Sequence, residues 1–259
     1  MSYCAQPHLT CSVTGANRGI GLGLVTALAS RPNTVVFAGA RDPAAQSLKD
    51  ISAKHPNVHG VKLTLGDKAD NEAAVAEIQR IAGQLDVIIA NAVGISNYYG
   101  PLVETPISEF RDHWEINTLG NVILFQTAHR LLLASPSKAP RFAIISSGAA
   151  SMGTYFPLRV AAYGSSKAAI NFLVKVMDQE HPSLISLAIH PGWVRTDMGN
   201  QSALAHGMAE APETVEYSVD GILARVDQAT SKELSGRFWN FKASHEGMMW
   251  NIATEEIPW

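Results

Sequence analysis

Leu9-Thr10-Cys11-Ser12-Val13-Thr14-Gly15-Ala16-Asn17-Arg18-Gly19-Ile20-Gly21 is the stretch that decides the fold. Its first five residues are apolar or β-branched and read as a buried strand. Beyond the glycines, Ile20, Leu24, Ala27 and Leu28 recur at helical spacing. The glycines therefore lie between a strand and a helix, where backbone N–H groups and a helix N-terminus can meet a dinucleotide pyrophosphate. Glycine lets the chain turn tightly at such a place and lets a phosphate come close. The spacing is T-G-x-x-x-G-x-G rather than G-x-G-x-x-G, because Leu24 holds the position of the last glycine.

Outward from this turn, strand-like and helix-like segments alternate. Residues 34–38, 58–65, 85–90, 142–145, 184–189 and 236–240 read as further strands. Helical patterns cover 72–81, one long stretch from 107 to 133, a helix starting near Val160, and another from Pro212 toward Val226. Apolar strands separated by helices predict an α/β architecture, a doubly wound parallel sheet covered on both faces. With 259 residues and no linker or charge run, the chain is expected to form one domain over 1–259.

Composition narrows the classes of function. The net charge is −3 and no basic patch marks a nucleic-acid or anionic-membrane surface. No apolar run reaches the roughly 18 residues of a membrane span. The N-terminus lacks the basic start and apolar core of a signal peptide, so a cytoplasmic protein is expected. Cys4 and Cys11 are too few for a disulfide framework, and Cys11 is expected to be a small buried hydrophobe.

Tyr163-Gly164-Ser165-Ser166-Lys167 carries the chemistry. Tyr163 and Lys167 lie one helical turn apart on one face. A free phenol titrates near ~10, and an ammonium beside it favours the phenolate and lowers that value. Such a pair can move a proton at an alcohol or a carbonyl.

The order of these signals, with Asn91-Ala92 after a buried run, Asn117 in the long helix, Ser146-Ser147 closing the run 142–145, and His190-Pro191-Gly192-Trp193-Val194-Arg195-Thr196, resembles the short-chain dehydrogenase/reductase family. The resemblance covers nearly the whole chain and implies a single Rossmann-type domain. Its cofactor-binding half would span about 8–145, and its catalytic and substrate-binding half about 146–259. Gly236-Arg237-Phe238 and Pro258-Trp259 resemble the carbonyl reductase branch that includes sniffer-like and fungal norsolorinic acid ketoreductase-like enzymes.

The resemblance implies the roles of the site residues. Tyr163 would donate the proton in reduction, Lys167 would bind the nicotinamide ribose, and Ser147, rather than Ser146, would hydrogen-bond the substrate oxygen. Asn117 would hold a water linking Lys167 to solvent. The cofactor would rest on Gly15, Asn17, Arg18, Gly19, Ile20 and Gly21, with Asn91 and Ala92 beside its ribose. Pro191 and Gly192 would turn the chain out of the sixth strand beside the cofactor, and Val194 and Thr196 would meet its carboxamide. No metal is expected, since hydride transfer to nicotinamide in this family needs none.

Two places depart from the family pattern. Val93 stands in Asn91-Ala92-Val93-Gly94 where Asn-Ala-Gly is usual, and it adds bulk beside the expected adenosine or ribose. Thr64 holds the place of an adenine-binding Asp in the resemblance, with Asp67 as the alternative. At the end of the second strand Ala40 replaces the acid that would hold a ribose 2′-hydroxyl, and Arg41 follows with a forked donor set. With Arg18 on the other side, this pattern points to NADP(H), although Asp42 could itself bind the ribose.

For the substrate, Ser147, Met152, Tyr155, Phe156, Tyr163 and Trp193, with Tyr98, Tyr99, Met198 and Met208, suggest a wide, aromatic, soft pocket. It suits a bulky or polycyclic aromatic ketone. The segment 196–212 is expected to be a mobile lid. The leading expectation is an NADPH-dependent carbonyl reductase acting on a small molecule. The alternatives are an alcohol dehydrogenase running in the oxidative direction and a non-catalytic dinucleotide sensor on the same fold. A homo-oligomer is left open.

Overall fold

In the computed structural model, which describes residues 8–94, 98–242 and 255–259, all seven strands run parallel. They are β1 (Leu9–Thr14), β2 (Thr34–Ala40), β3 (Val58–Lys62), β4 (Val87–Ala90), β5 (Arg141–Ile145), β6 (Ile185–His190) and β7 (Arg237–Asn240). The spatial order is β3-β2-β1-β4-β5-β6-β7. Val13 pairs with Ala38 on one side and Ile89 on the other, so the order reverses around β1 and β4. A parallel sheet that reverses in this way opens a crevice at the carboxyl ends of its strands.

Apolar residues on both faces of the strands require cover on both sides. On one face Val13, Val36, Ile89 and Leu187 pack on Leu24, Val25 and Leu28 of α1 (Gly19–Ala29) and on Val219, Ile222 and Val226 of α8 (Val215–Gln228). On the other, Phe37, Ile88, Phe142 and Phe238 meet α3 (Lys68–Ala82), α5 (Gly120–Leu133) and α6 (Ala161–Glu180) through Ile78, Leu124, Ile170 and Val174. Cys11 is buried in the first of these layers, and burial pushes its thiol up to about 12. Cys4 lies outside the described residues. Among the described residues no helix is long and apolar enough to cross a membrane.

The structure departs from the sequence reading in two elements and adds a helix in a third segment. The stretch 107–133 is not one α-helix: α4 (Ile107–His113) passes into a π-helical turn, Trp114–Leu119, before α5 begins. Asn117 sits in that turn, and π-turns of this kind are common at functional sites. The apolar pattern continues across an inserted residue, so it does not betray the break. The helix α2 (Gln46–Lys54) had no strong signal because it buries only Leu48 and Ile51. The segment 196–212 contains a helix, α7 (Asp197–Ala205), capped by Thr196 Oγ1, which accepts the Gly199 N–H at 3.1 Å.

Asp86 locks the entry of β4. Its buried carboxylate accepts the Thr10 N–H at 2.7 Å and Gln84 Nε2 at 2.9 Å, and it also accepts the Ser135 hydroxyl. One side chain thus ties β1, β4 and the link from α5 to β5 together. Replacing it leaves a buried N–H without an acceptor, at a cost of roughly 2 kcal/mol. Asp86→Ala is expected to lower the unfolding free energy by that amount, read as a lower urea midpoint at unchanged slope; an unshifted midpoint would show that the three groups find other partners.

Candidate active site

The carboxyl ends of β1 and β4 are joined by hydrogen bonds. Thr14 Oγ1 accepts the N–H groups of Asn91 and Ala92 at 3.0 and 2.9 Å, and Asn91 Nδ2 donates to Thr14 O at 3.0 Å. The glycine turn leaves this junction with Gly15 at φ +65° and Gly19 at φ +53°, a region that disfavours other residues. A Cβ on Gly21 would stand 2.2 Å from Gly15 O, so no larger residue fits under the turn. Ser47 of α2 donates to Asn17 O at 2.7 Å and holds the loop from outside; sequence reasoning missed it because α2 itself was missed.

These constraints leave an open cleft. It is lined by Gly15, Asn17, Arg18, Gly19 and Ile20 of the turn, by Arg41 and Thr64, by Asn91 and Ala92, and by Tyr163, Lys167, Pro191 and Thr196. No side chain caps the start of α1, so its first-turn N–H groups remain available to an anion. Gly21 lies buried beneath the turn rather than in the cleft wall, while Gly192 and Val194 line the neighbouring cavity.

The residues of each open alternative occupy different places in the structure. Asp67 caps α3, accepting the Asp70 N–H at 3.0 Å, and lies outside the cleft lining that includes Thr64. The Thr64 hydroxyl donates to Asp70 and helps hold that carboxyl below its ordinary range. Asp42 Oδ1 accepts the Ala44 N–H at 2.9 Å and also lies outside the lining, whereas Arg41 stands in it. Arg18 reaches across to Asp197, 3.5 Å away. Val93 lines the cleft, as its position in the departure from the family pattern suggested.

The helix α6 presents Tyr163 and Lys167 on one face. Lys167 is buried, donates to Ile145 O at 2.8 Å, and sits 5.8 Å from the centre of the Tyr163 ring. Burial lowers its pKa to about 7. Burial also pushes the Tyr163 phenol upward, against a hydrogen bond with Ser147 that lowers it; Tyr99 adds to the rise. The simple sequence expectation of a phenol pulled down by its lysine is therefore not met, because desolvation dominates both groups.

Ser147 ends the loop after β5, its Oγ accepting the Ala149 N–H at 3.2 Å. Ser146, the alternative, donates to Asn171 Oδ1 at 2.7 Å in the interior. Gly148 N–H donates to Nδ1 of His190 at 3.0 Å, and burial lowers that imidazole to about 4, so it is neutral. Asn117 is buried with both ends of its amide taken: Oδ1 accepts the Gly94 N–H at 2.9 Å, and Nδ2 donates to Ser166 Oγ at 3.0 Å. Its side chain is a brace between the loop after β4, the π-turn and α6.

A second, more apolar cavity adjoins Tyr163 and Ser147. Tyr98, Tyr99, Phe156, Trp193 and Met198 line it, as the sequence suggested. Met152 and Tyr155 do not; both are exposed, and Met208 is likewise outside the lining. The reason is local geometry. From Tyr155 to Val160 exposure alternates residue by residue, so Phe156, Leu158 and Val160 face the cavity while Tyr155 faces solvent. Met152 lies in a turn drawn toward the C-terminal segment, where Gly153 N–H donates to Trp259 O at 2.9 Å. Leu158 and Val160 were missed, and their period of two was the available signal. His206, also missed, bridges the cavity walls with its ring nitrogens 2.8 Å from Ser202 O and 3.1 Å from Leu158 O. Among the described residues no group of three or more His, Cys, Asp and Glu could hold a metal ion.

Comparison with known proteins agrees with this arrangement. The short chain dehydrogenase family matches residues 10–206. A norsolorinic acid ketoreductase of Dothistroma septosporum is 40% identical over 88% of both chains. One from Emericella nidulans is 38% identical over 95% of this chain and 92% of its own. Among solved structures, the NADPH-bound carbonyl reductase from chicken fatty liver superposes with a TM-score of 0.78 at 30% identity, covering 91% of this chain and 97% of its own. Carbonyl reductase Sniffer of D. melanogaster gives 0.83 at 25% identity, covering 97% and 100%. The glycine turn between β1 and α1, the Tyr163–Lys167 face of α6 and these relatives together make the chain a member of the short-chain dehydrogenase/reductase family, an oxidoreductase of the ketoreductase and carbonyl reductase type.

Proposed function

We propose that the protein reduces a bulky aromatic ketone to its alcohol with NADPH. The observation that carries this reading is the junction of two spaces at Tyr163: a long cleft walled by the glycine turn, Arg18 and Arg41, and a more apolar cavity walled by Tyr98, Tyr99, Phe156, Trp193 and Met198. Relatives named norsolorinic acid ketoreductases support the reduction of a ketone. The NADPH-bound neighbour supports the cofactor.

Nicotinamide, when bound, supplies the hydride. The chain supplies placement and the proton. Gly15, Asn17, Gly19, Ile20 and Gly21 form the turn that receives the pyrophosphate, and α1 presents its N–H groups to the charge. Arg41 and Arg18 would clamp a 2′-phosphate, and Thr64 would accept a hydrogen bond from adenine. Asn91 and Ala92 would flank the ribose, with Pro191, Gly192, Val194 and Thr196 around the carboxamide. Lys167 would hold the nicotinamide ribose. Ser147 would hydrogen-bond the ketone oxygen as alkoxide charge develops, and Tyr163 would then give it a proton. A phenol kept protonated by burial is suited to donate. Asn117 would act by bracing α6 and the loop after β4. On this reading residues 8–145 form the cofactor-binding half and 146–259 the catalytic and substrate-binding half.

Three outcomes follow from these assignments. Tyr163→Phe removes the donor and keeps the ring; kcat should fall by about 10²- to 10⁴-fold, with NADPH affinity little changed. Turnover above roughly a third of wild type would exclude Tyr163 as the donor. Arg41→Ala should raise the Kd for NADPH by about 10- to 100-fold and leave that for NADH nearly unchanged; equal weakening would remove the support for NADP. Lys167 titrates at about 7 in the folded, cofactor-free protein and near ~10.4 unfolded. The unfolded chain therefore binds more protons between these values, and stability rises with pH across that window. The penalty is full below about 7. Lys167→Met lacks it, so its gain in melting temperature over wild type should be largest near pH 6 and shrink toward pH 10. A gap independent of pH would contradict a depressed lysine.

A further inference from the structure

His113 ends α4 one helical turn before Asn117 and is buried at 2% exposure. The hydrogen bonds around it permit one protonation state. Gly94 N–H can only donate, so the Asn117 atom 2.9 Å away is the amide oxygen. The other end is then the NH₂ group. It donates to Ser166 Oγ, whose own proton goes to Tyr163 O at 2.7 Å, and it stands 3.1 Å from His113 Nδ1. That nitrogen must therefore offer a lone pair, and the neutral ring carries its proton on Nε2. Nε2 has no hydrogen-bond partner among the described residues; a Glu109 oxygen lies 3.9 Å away. The imidazole also meets the Tyr163 ring edge to face, with centroids 5.7 Å apart and an interplanar angle of 70°.

We propose that His113 is a positioning residue for the reduction: as a neutral Nε2–H imidazole it holds the Asn117 amide and the Tyr163 ring in working geometry, and its protonation releases both. The inference rests on the proposed reduction. A protonated Nδ1 would confront the Asn117 NH₂ with a second donor. Asn117 would then have to turn its amide and lose the Gly94 N–H, the Ser166 hydroxyl, or both. A leucine or phenylalanine could fill this space but could not accept the amide proton.

The charges facing His113 come from two elements. Glu109 and Asp112 of its own helix favour the proton, while Lys167 of α6 opposes it, beside the Tyr163 ring. Burial is the largest effect and also opposes it, so His113 titrates below its ordinary value. The working geometry is thus held near neutrality and lost in acid. In wild-type enzyme this predicts an acid limb in kcat with its midpoint below ~6.5.

The test has a structural arm and a kinetic arm. In ¹⁵N-labelled, cofactor-free protein at pH 7.5, His113 should show the Nε2–H tautomer; a protonated Nδ1 overturns the proposal. His113→Gln offers an acceptor that does not titrate. It should keep kcat within about threefold of wild type and lose the acid limb. His113→Phe keeps the ring but orphans the amide donor; it should lose about tenfold in kcat with the KM for NADPH unchanged. An acid limb identical in wild type and His113→Gln, or full kcat in His113→Phe, overturns the proposal. Where the Phe variant fails to fold, the tautomer and the Gln profile decide. Wild-type protein that turns over no ketone refutes the reduction itself, and the tautomer still decides the role of His113 as a brace.

Discussion

The Thr14 hydroxyl, accepting two consecutive N–H groups from Asn91 and Ala92, is the contact on which the site depends. It joins the two strands at which the sheet order reverses, and the glycine turn leaves from one of them. Were β1 and β4 free to slide, the cleft between the turn and residues 91–94 would change width. The glycines would then have no fixed backbone to approach. Asp86 performs the matching task at the other end of β4, so that strand is held at both ends by side chain to backbone hydrogen bonds.

Burial governs the chemistry built on that frame. Lys167 and Tyr163 are both desolvated, and each is pushed toward its neutral form. A cationic lysine in this position lowers the stability of the cofactor-free protein, and the same burial keeps the phenol beside Ser147 protonated. The surrounding polar groups are interlocked. Asn117, His113 and Ser166 form one network behind the tyrosine, and Ser146 and Asn171 another behind the serine. In such a low-dielectric setting each donor must match an acceptor, so the identity of one side chain dictates the protonation of the next.

The apolar cavity has a different origin. Much of its wall comes from irregular chain, namely the segment after β4 that carries Tyr98 and Tyr99, the extended run 155–160 and the loop after β6, completed by the starts of α6 and α7. The C-terminal residues steer one of these walls, since Pro258 and Trp259 accept hydrogen bonds from Ser151 and Gly153 in the turn that follows Ser147. The cavity thus resides in segments that the sheet positions but does not shape.

The sequence by itself determined the parallel sheet, the glycine turn and the Tyr163–Lys167 pair, because these depend on local periodicity and on residues close together in the chain. It could not show the π-turn at Asn117. That break is stabilised by Gly94 and Ser166, which lie 23 and 49 residues away. Nor could it show that Tyr155 faces solvent while Phe156 faces the cavity, or that Asp67 caps a helix while Thr64 meets the cleft. The direction of the shift at Tyr163 likewise needed the tertiary structure. Spacing along a helix tells which charge stands near a phenol, but only packing decides how much water is left to solvate it.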